Sequence, residues 1–204
     1  ALTPTANAYT VDRFYLFMSQ ASKLTGQQNL DGVTPPTGYK NYLGVKIAAT
    51  ATVGAADCFG LAQRVEGFNC VDLAYGTAQA KTLTLSFWVR SSVTGTFSGA
   101  FQNDGLNRSY PFTYVISNAN TWEFKTVTFV GDVTGTWLTT NSTGFIVQFS
   151  FGAGANFSGT AGAWNGNNNN AATGGTSLMG TLNATFYLTG VQLEVGSVAT
   201  PFER

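Results

Sequence analysis

Within the stretch Trp164-Asn-Gly-Asn-Asn-Asn-Asn170, one indole stands beside the primary amides of Asn165, Asn167, Asn168, Asn169 and Asn170. These groups suit a sugar: an aromatic face covers the apolar C–H side of the ring, while amides donate to and accept from its hydroxyls. Ligand sites in general combine apolar surface with a few placed polar groups. Trp122, Trp137 and Tyr110, at strand starts or turns, offer the same chemistry. Trp88 falls on the polar face of an alternating stretch, where neighbouring strands would equally cover it. Three plainer readings compete for the loop. It is a flexible excursion of the kind that low-complexity Asn/Gly runs produce, or Trp164 anchors it to the domain, or it packs across a subunit interface.

Catalysis has little to work with. The chain contains no histidine, which excludes His-dependent triads and the commonest metal-ligand sets. Glycoside hydrolysis needs two carboxyl groups flanking a bond. Ten acidic residues are present but scattered, and Glu66 and Glu194, both in strand-like stretches, are the pair to follow. Each also reads as an ordinary hydrogen-bonded or ion-paired strand residue near Arg64 or Arg90. No phosphate-cradling glycine loop and no Ca2+-loop pattern occurs. The expectation is a protein that is not an enzyme. Cys58 and Cys70 are too few for a disulfide framework or a zinc site and read as free, buried thiols.

Ten basic residues balance the ten acidic ones. Without a Lys/Arg cluster the chain lacks the electrostatic footprint of nucleic-acid or anionic-membrane binding, so neither partner is expected. No apolar run approaches a membrane span and no basic-then-apolar leader opens the chain. That pattern fits a cytoplasmic product or a domain excised from something longer.

Residues capable of recognition must be carried by elements, and the elements read as strands. The composition favours Gly, Thr, Asn, Phe and Val over helix formers, and 204 residues fit one all-β domain, residues 1–204. Lys81 to Arg90 alternates cleanly, with Leu83, Leu85, Phe87 and Val89 on one face. Tyr9 to Met18, Tyr42 to Thr52, Phe59 to Glu66, Gly95 to Gln102, Ser109 to Ile116, Trp122 to Val130 and Phe145 to Phe151 are the other candidate strands. Turn signals separate them at roughly ten-residue spacing, the signature of an antiparallel sandwich. Ser19 to Tyr39 reads as a polar loop and Gly152 to Gly180 as one long excursion.

In the last strand, Phe186 to Val195, the large apolar residues change parity near Thr189-Gly190. That switch predicts a β-bulge in a central strand. Burial is expected for Leu83, Leu85, Phe87, Val89, Phe149, Leu188 and Leu193.

The run Gly190-Val-Gln-Leu-Glu-Val-Gly-Ser-Val-Ala-Thr-Pro-Phe-Glu203 resembles the ending of jelly-roll domains, similar to carbohydrate-binding modules, in tail fibres and related virion proteins of tailed bacteriophages. Tyr9-Thr-Val-Asp-Arg-Phe14 and Lys81-Thr-Leu-Thr-Leu-Ser-Phe-Trp-Val-Arg90 are similar to two earlier motifs of those domains, with Phe14 where the family has Trp. The resemblance implies an all-β, antiparallel jelly-roll sandwich that recognises host surface carbohydrate during adsorption. A purely structural virion module without its own ligand is the alternative. It further implies a bacterial surface glycan and other virion proteins as partners, homotrimeric assembly, and a place in the virion after synthesis in the host cytoplasm. No cofactor follows from it, although similar jelly rolls hold a structural Ca2+ through backbone carbonyls, a donor set with no sequence signature.

Overall fold

In the computed structural model, which describes residues 3, 4, 6–11 and 13–203, the alternating stretches become paired strands. The first seven are β1 (Ala8–Val11), β2 (Phe14–Met18), β3 (Leu24–Gln28), β4 (Leu43–Ile47), β5 (Cys58–Glu66), β6 (Leu83–Ser91) and β7 (Gly95–Gln102). Then follow β8 (Ser109–Ile116), β9 (Glu123–Phe129), β10 (Thr143–Ala153), the short β11 (Ser158–Gly159) and β12 (Ala171–Ala172), and β13 (Thr185–Val195). One antiparallel sheet has the order β1-β2-β5-β10-β7-β8 and the other β3-β4-β13-β6-β9. The strand order is non-consecutive in both sheets, as a jelly-roll sandwich requires.

The core between the sheets is aromatic. Phe87 on one sheet and Phe149 on the other meet edge to face at 5.1 Å between ring centres, and Phe101 stacks on Phe129 at 3.7 Å. Rings in these offset and edge-on arrangements contribute beyond their buried area. Leu83, Leu85, Phe87, Val89, Phe149 and Leu188 are buried, as their parity predicts.

The last strand is central, between β4 and β6. Its register against β6 slips between Thr189 and Gln192, and Gly190 takes φ +59°, the left-handed backbone that a bulge glycine supplies without strain. Beyond the bulge β13 loses β4, whose pairing ends at Leu188↔Leu43. One flank is then open, so Leu193 is half-buried rather than buried and Val195 is exposed.

Three other expectations need correction. Tyr9 to Met18 is not one strand but two, β1 and β2, paired antiparallel across a two-residue connection in which Arg13 is exposed and Asp12 lies outside the described residues. The polar loop from Ser19 to Tyr39 contains β3, whose single large apolar residue, Leu24, is fully buried. Cys58 and Cys70 are free, as expected, but only half-buried. Burial pushes both thiols up, that of Cys70 to about 11, so they stay protonated at neutral pH.

Candidate functional site

The long excursion after β10 folds back over the outer face of the six-stranded sheet and spends most of its amides there. Gln102 of β7, fully buried, donates to Asn168 Oδ1 at 2.8 Å, to the Asn169 carbonyl at 3.0 Å and to Asn170 Oδ1 at 3.3 Å. Its own Oε1 accepts from the Gln148 side chain. Asn165 bridges to Ser109 through both backbone groups, at 2.9 and 3.0 Å, and its Oδ1 accepts from Asn169 Nδ2 at 2.9 Å. Asn169 and Asn170 are buried, as a satisfied polar network requires, and Asn167 is left exposed.

Trp164 points into the domain. Its Nε1 donates to the Val130 carbonyl at 2.7 Å, and its ring stands edge-on to Tyr110 at 5.3 Å, Trp137 at 5.4 Å and Tyr75 at 5.9 Å. Trp137 stacks on Phe145 at 5.6 Å and donates to Thr134 O at 3.1 Å. The structure therefore brings Trp164, Trp137 and Tyr110 together. Trp122 is elsewhere, at the start of β9 on the other sheet, against Tyr42 and Tyr187, with its Nε1 donating to Thr34 O at 2.9 Å. These contacts suit the anchoring reading of Trp164. Trp164→Ala is expected to cost about 3 kcal/mol, the low end for a large aromatic because the ring is half-buried, and to leave ligand binding intact; chemical denaturation beside a binding assay checks both.

A hollow of about 170 Å³ adjoins Trp137 and Tyr75. A larger recessed surface lies on another side and is built from both sheets. At the rim of the sandwich a crevice of about 390 Å³ has Phe14, Leu43, Leu188 and Val191 as apolar lining and Arg13, Gln28, Asn41 and Gln63 as polar lining. The Gly190 bulge opens one wall. Through Asn41, Thr189 and Gly190 the crevice runs into a depression bordered by Tyr39, Lys40 and Phe202. Through Arg13 and Gln63 it runs the other way, into a hollow of about 410 Å³ with Tyr9, Arg64, Glu66 and Asn69, which continues to Tyr15. The result is one trough with an aromatic pair at each end: Tyr9 and Tyr15 at 5.5 Å, Tyr39 and Phe202 at 5.4 Å.

Among the described residues the side-chain amides of Gln28, which is exposed, and of Gln63, which is half-buried, have no hydrogen-bond partner within the protein. Sequence reasoning did not assemble this surface because its residues come from six separated stretches. The available signal was Gln63, an amide at the same parity as Phe59 and Leu61, which face the core.

The C-terminal motif shapes one end of the trough. Gln192 Oε1 accepts from the Glu203 N–H at 2.8 Å, and Glu194 accepts from the Thr200 N–H at 3.2 Å and from the Thr200 hydroxyl. Hydrogen bonds from Gln192 and Thr200 hold the Glu194 carboxyl below the usual range. The clasp seats Phe202 against Tyr39. Glu66 and Glu194 belong to different sheets, and neither forms the ion pair with Arg64 or Arg90 that the strand reading offered. Among the described residues no three His, Cys, Asp or Glu side chains group as metal ligands.

No family model and no curated protein matches the chain. Solved structures do resemble it. An exo-β-agarase superposes with a TM-score of 0.51 at 9% identity over 97% of this chain and 25% of that one. The enzymatically active domain of bacteriophage CBA120 tailspike protein 4 gives 0.48 at 11% identity, over 90% of this chain and 19% of that one. A family 11 carbohydrate-binding module from Clostridium thermocellum, in complex with a β-1,3-1,4-mixed-linked tetrasaccharide, gives 0.46 at 12%, over 98% of this chain and 100% of that one. The chain thus spans 19% of the tailspike domain and 25% of the agarase. At such identities the likeness is one of fold.

Proposed function

We propose that this jelly-roll domain binds carbohydrate in the trough at the rim of the sandwich, and that it does so as part of a bacteriophage tail fibre, recognising surface glycan of the bacterial host. The observation that carries the reading is the pairing of exposed or half-buried aromatic and apolar surface with uncommitted amides. Tyr9 and Phe14 offer faces for sugar rings, and Gln28 and Gln63 offer donors and acceptors for hydroxyls. Hydroxyl-rich ligands need that combination, because amides without protein partners can donate to and accept from hydroxyls while the rings cover apolar C–H faces.

The virion placement rests on the sequence resemblance of the C-terminal run and of the two earlier motifs. Homotrimeric assembly belongs to the same proposal; it is supported by the resemblance and by low surface charge, which leaves little repulsion between copies. Loop residues Trp164, Asn165 and Asn167 to Asn170, with Trp137 and Tyr110, form the platform against which the six-stranded sheet is held, and of these Asn167 is the one presented to solvent.

A glycan array probed with the 204-residue chain tests the reading. Binding to a restricted set of bacterial-type saccharides, weakened by Tyr9→Ala or Gln63→Ala, is the expected result. Binding to none would leave a structural virion module.

A further inference from the structure

We infer that the crevice of the trough selects a sugar by its acetamido group, so that the preferred ligand is a glycan containing N-acetylated amino sugars rather than one bearing only hydroxyls. The inference rests on the carbohydrate-binding reading and adds the substituent that the crevice recognises. Its basis is where the uncommitted amides stand. Phe14 and Gln63 are direct cross-strand partners on β2 and β5 of one sheet, and Gln28 and Leu43 are direct partners on β3 and β4 of the other. Directly opposed residues of an antiparallel pair share a face. Both pairs line the crevice, so each sheet contributes an amide without a protein partner beside an apolar side chain.

The remaining lining narrows the chemistry. Leu43 and Leu188, paired across β4 and β13, are buried, and Val11 and Val191 are half-buried. Branched aliphatic side chains give no flat platform for a ring, but they enclose a methyl group, whose removal from water is favourable. The hydroxyls of the lining are already engaged. That of Tyr42 donates to the Leu30 carbonyl at 2.7 Å and accepts from the Val33 N–H at 2.6 Å, and that of Thr189 donates to the Asn41 carbonyl at 2.8 Å. Apart from the exposed Arg13, what the described lining leaves to a ligand is primary amide: Gln28, Gln63 and the Nδ2 of Asn41, whose Oδ1 accepts from Asn29.

An acetamido group meets both halves of this lining. Its methyl fits the aliphatic side chains, and its carbonyl and N–H accept from and donate to a glutamine amide. A hydroxyl in its place serves the amides and leaves the aliphatic surface bare, whereas the methyl of a deoxy sugar does the reverse. At about 390 Å³ the crevice lies near the low end of the roughly 300–1,000 Å³ of ligand pockets, room for one substituted sugar residue of a chain that continues along the trough.

The test uses the full 204-residue chain and matched probes. These are the methyl glycosides of N-acetylglucosamine, N-acetylgalactosamine and N-acetylmannosamine beside those of glucose, galactose and mannose, the free-amine glucosamine glycoside, and chitotetraose beside cellotetraose. NMR titration is expected to find at least one acetamido probe bound about tenfold more tightly than its hydroxyl counterpart, the combined effect of one covered methyl and one amide hydrogen bond. Saturation transferred from the protein should fall most strongly on the acetyl methyl. Gln63→Leu, which keeps the bulk and removes the amide, should lower the affinity ratio severalfold, whereas Gln79→Leu, exposed and outside the trough, should not change it. Circular dichroism verifies that both variants fold. Equal or weaker affinity for the acetamido probes, tighter binding of the free amine, or an unchanged ratio in Gln63→Leu overturns the inference and leaves carbohydrate binding standing. Binding of none of these probes also overturns it, and the glycan array then decides the carbohydrate reading by itself.

Discussion

Replacing Phe149 with alanine is expected to lower the stability of the domain by about 3–5 kcal/mol. The ring is fully buried on β10 and touches both sheets: Phe87 at 5.1 Å and Phe186 at 6.2 Å from one, Phe112 and Tyr114 at 6.4 Å from its own. Rigid strands on either side cannot close over the gap, so a cavity penalty adds to the lost transfer energy. Urea denaturation measures the change as a lower midpoint at an unchanged slope. A loss under about 1 kcal/mol, the scale of an ordinary surface change, would mean that the two sheets do not share this core.

Asp132→Ala is expected to cost about as much, 3–5 kcal/mol, by stranding a charge. Asp132 is 2% exposed and takes two bonds from Arg108, at 2.6 and 2.8 Å, as well as the Thr134 N–H at 3.1 Å and hydroxyl at 3.0 Å. Arg108 is largely covered too, and the hydrogen bonds it donates to Asp132 hold its guanidinium charge more firmly than usual. The pair fastens the β7–β8 turn to the segment that carries Trp137, so its loss also loosens the Trp164 platform. The double variant with Arg108→Met should recover part of the loss, because no lone charge remains. A double-mutant cycle reads that coupling, and additive losses would contradict it.

Much of the fold was legible because one face of most strands points to the core. β7 and β8 match their sequence-based bounds, and the parity switch in the last strand located the bulge at Thr189-Gly190. Alternation fails where both faces are covered. On β10, Ile146, Gln148 and Ser150 occupy the outward parity and are nevertheless buried: Ile146 packs with Phe17, Ala62 and Leu106, and Gln148 bonds Gln102, which holds the long excursion, and nothing local to β10 announces that cover. β3 escaped notice because Leu-Thr-Gly-Gln-Gln has one large apolar residue, and its pairing with β4 is a long-range fact. For the candidate site, the sequence showed residue types that can meet a sugar but not which of them the fold leaves uncommitted. The Trp164 and Asn165–Asn170 cluster is conspicuous as a string, and much of its bonding goes to Gln102, Ser109 and the domain's own aromatic rings, whereas the trough joins Tyr9, Arg13, Asn41, Gln63 and Gly190, which only sheet pairing makes neighbours.

The most direct measurement is amide chemical-shift mapping of the domain with an oligosaccharide selected on the array. Perturbations are expected along the trough, at Tyr9, Arg13, Asn41, Gln63, Arg64 and Gly190, residues that adjoin only in this fold. Shifts confined to Trp164 and Asn165–Asn170, or no saturable shift with any saccharide, would contradict the account.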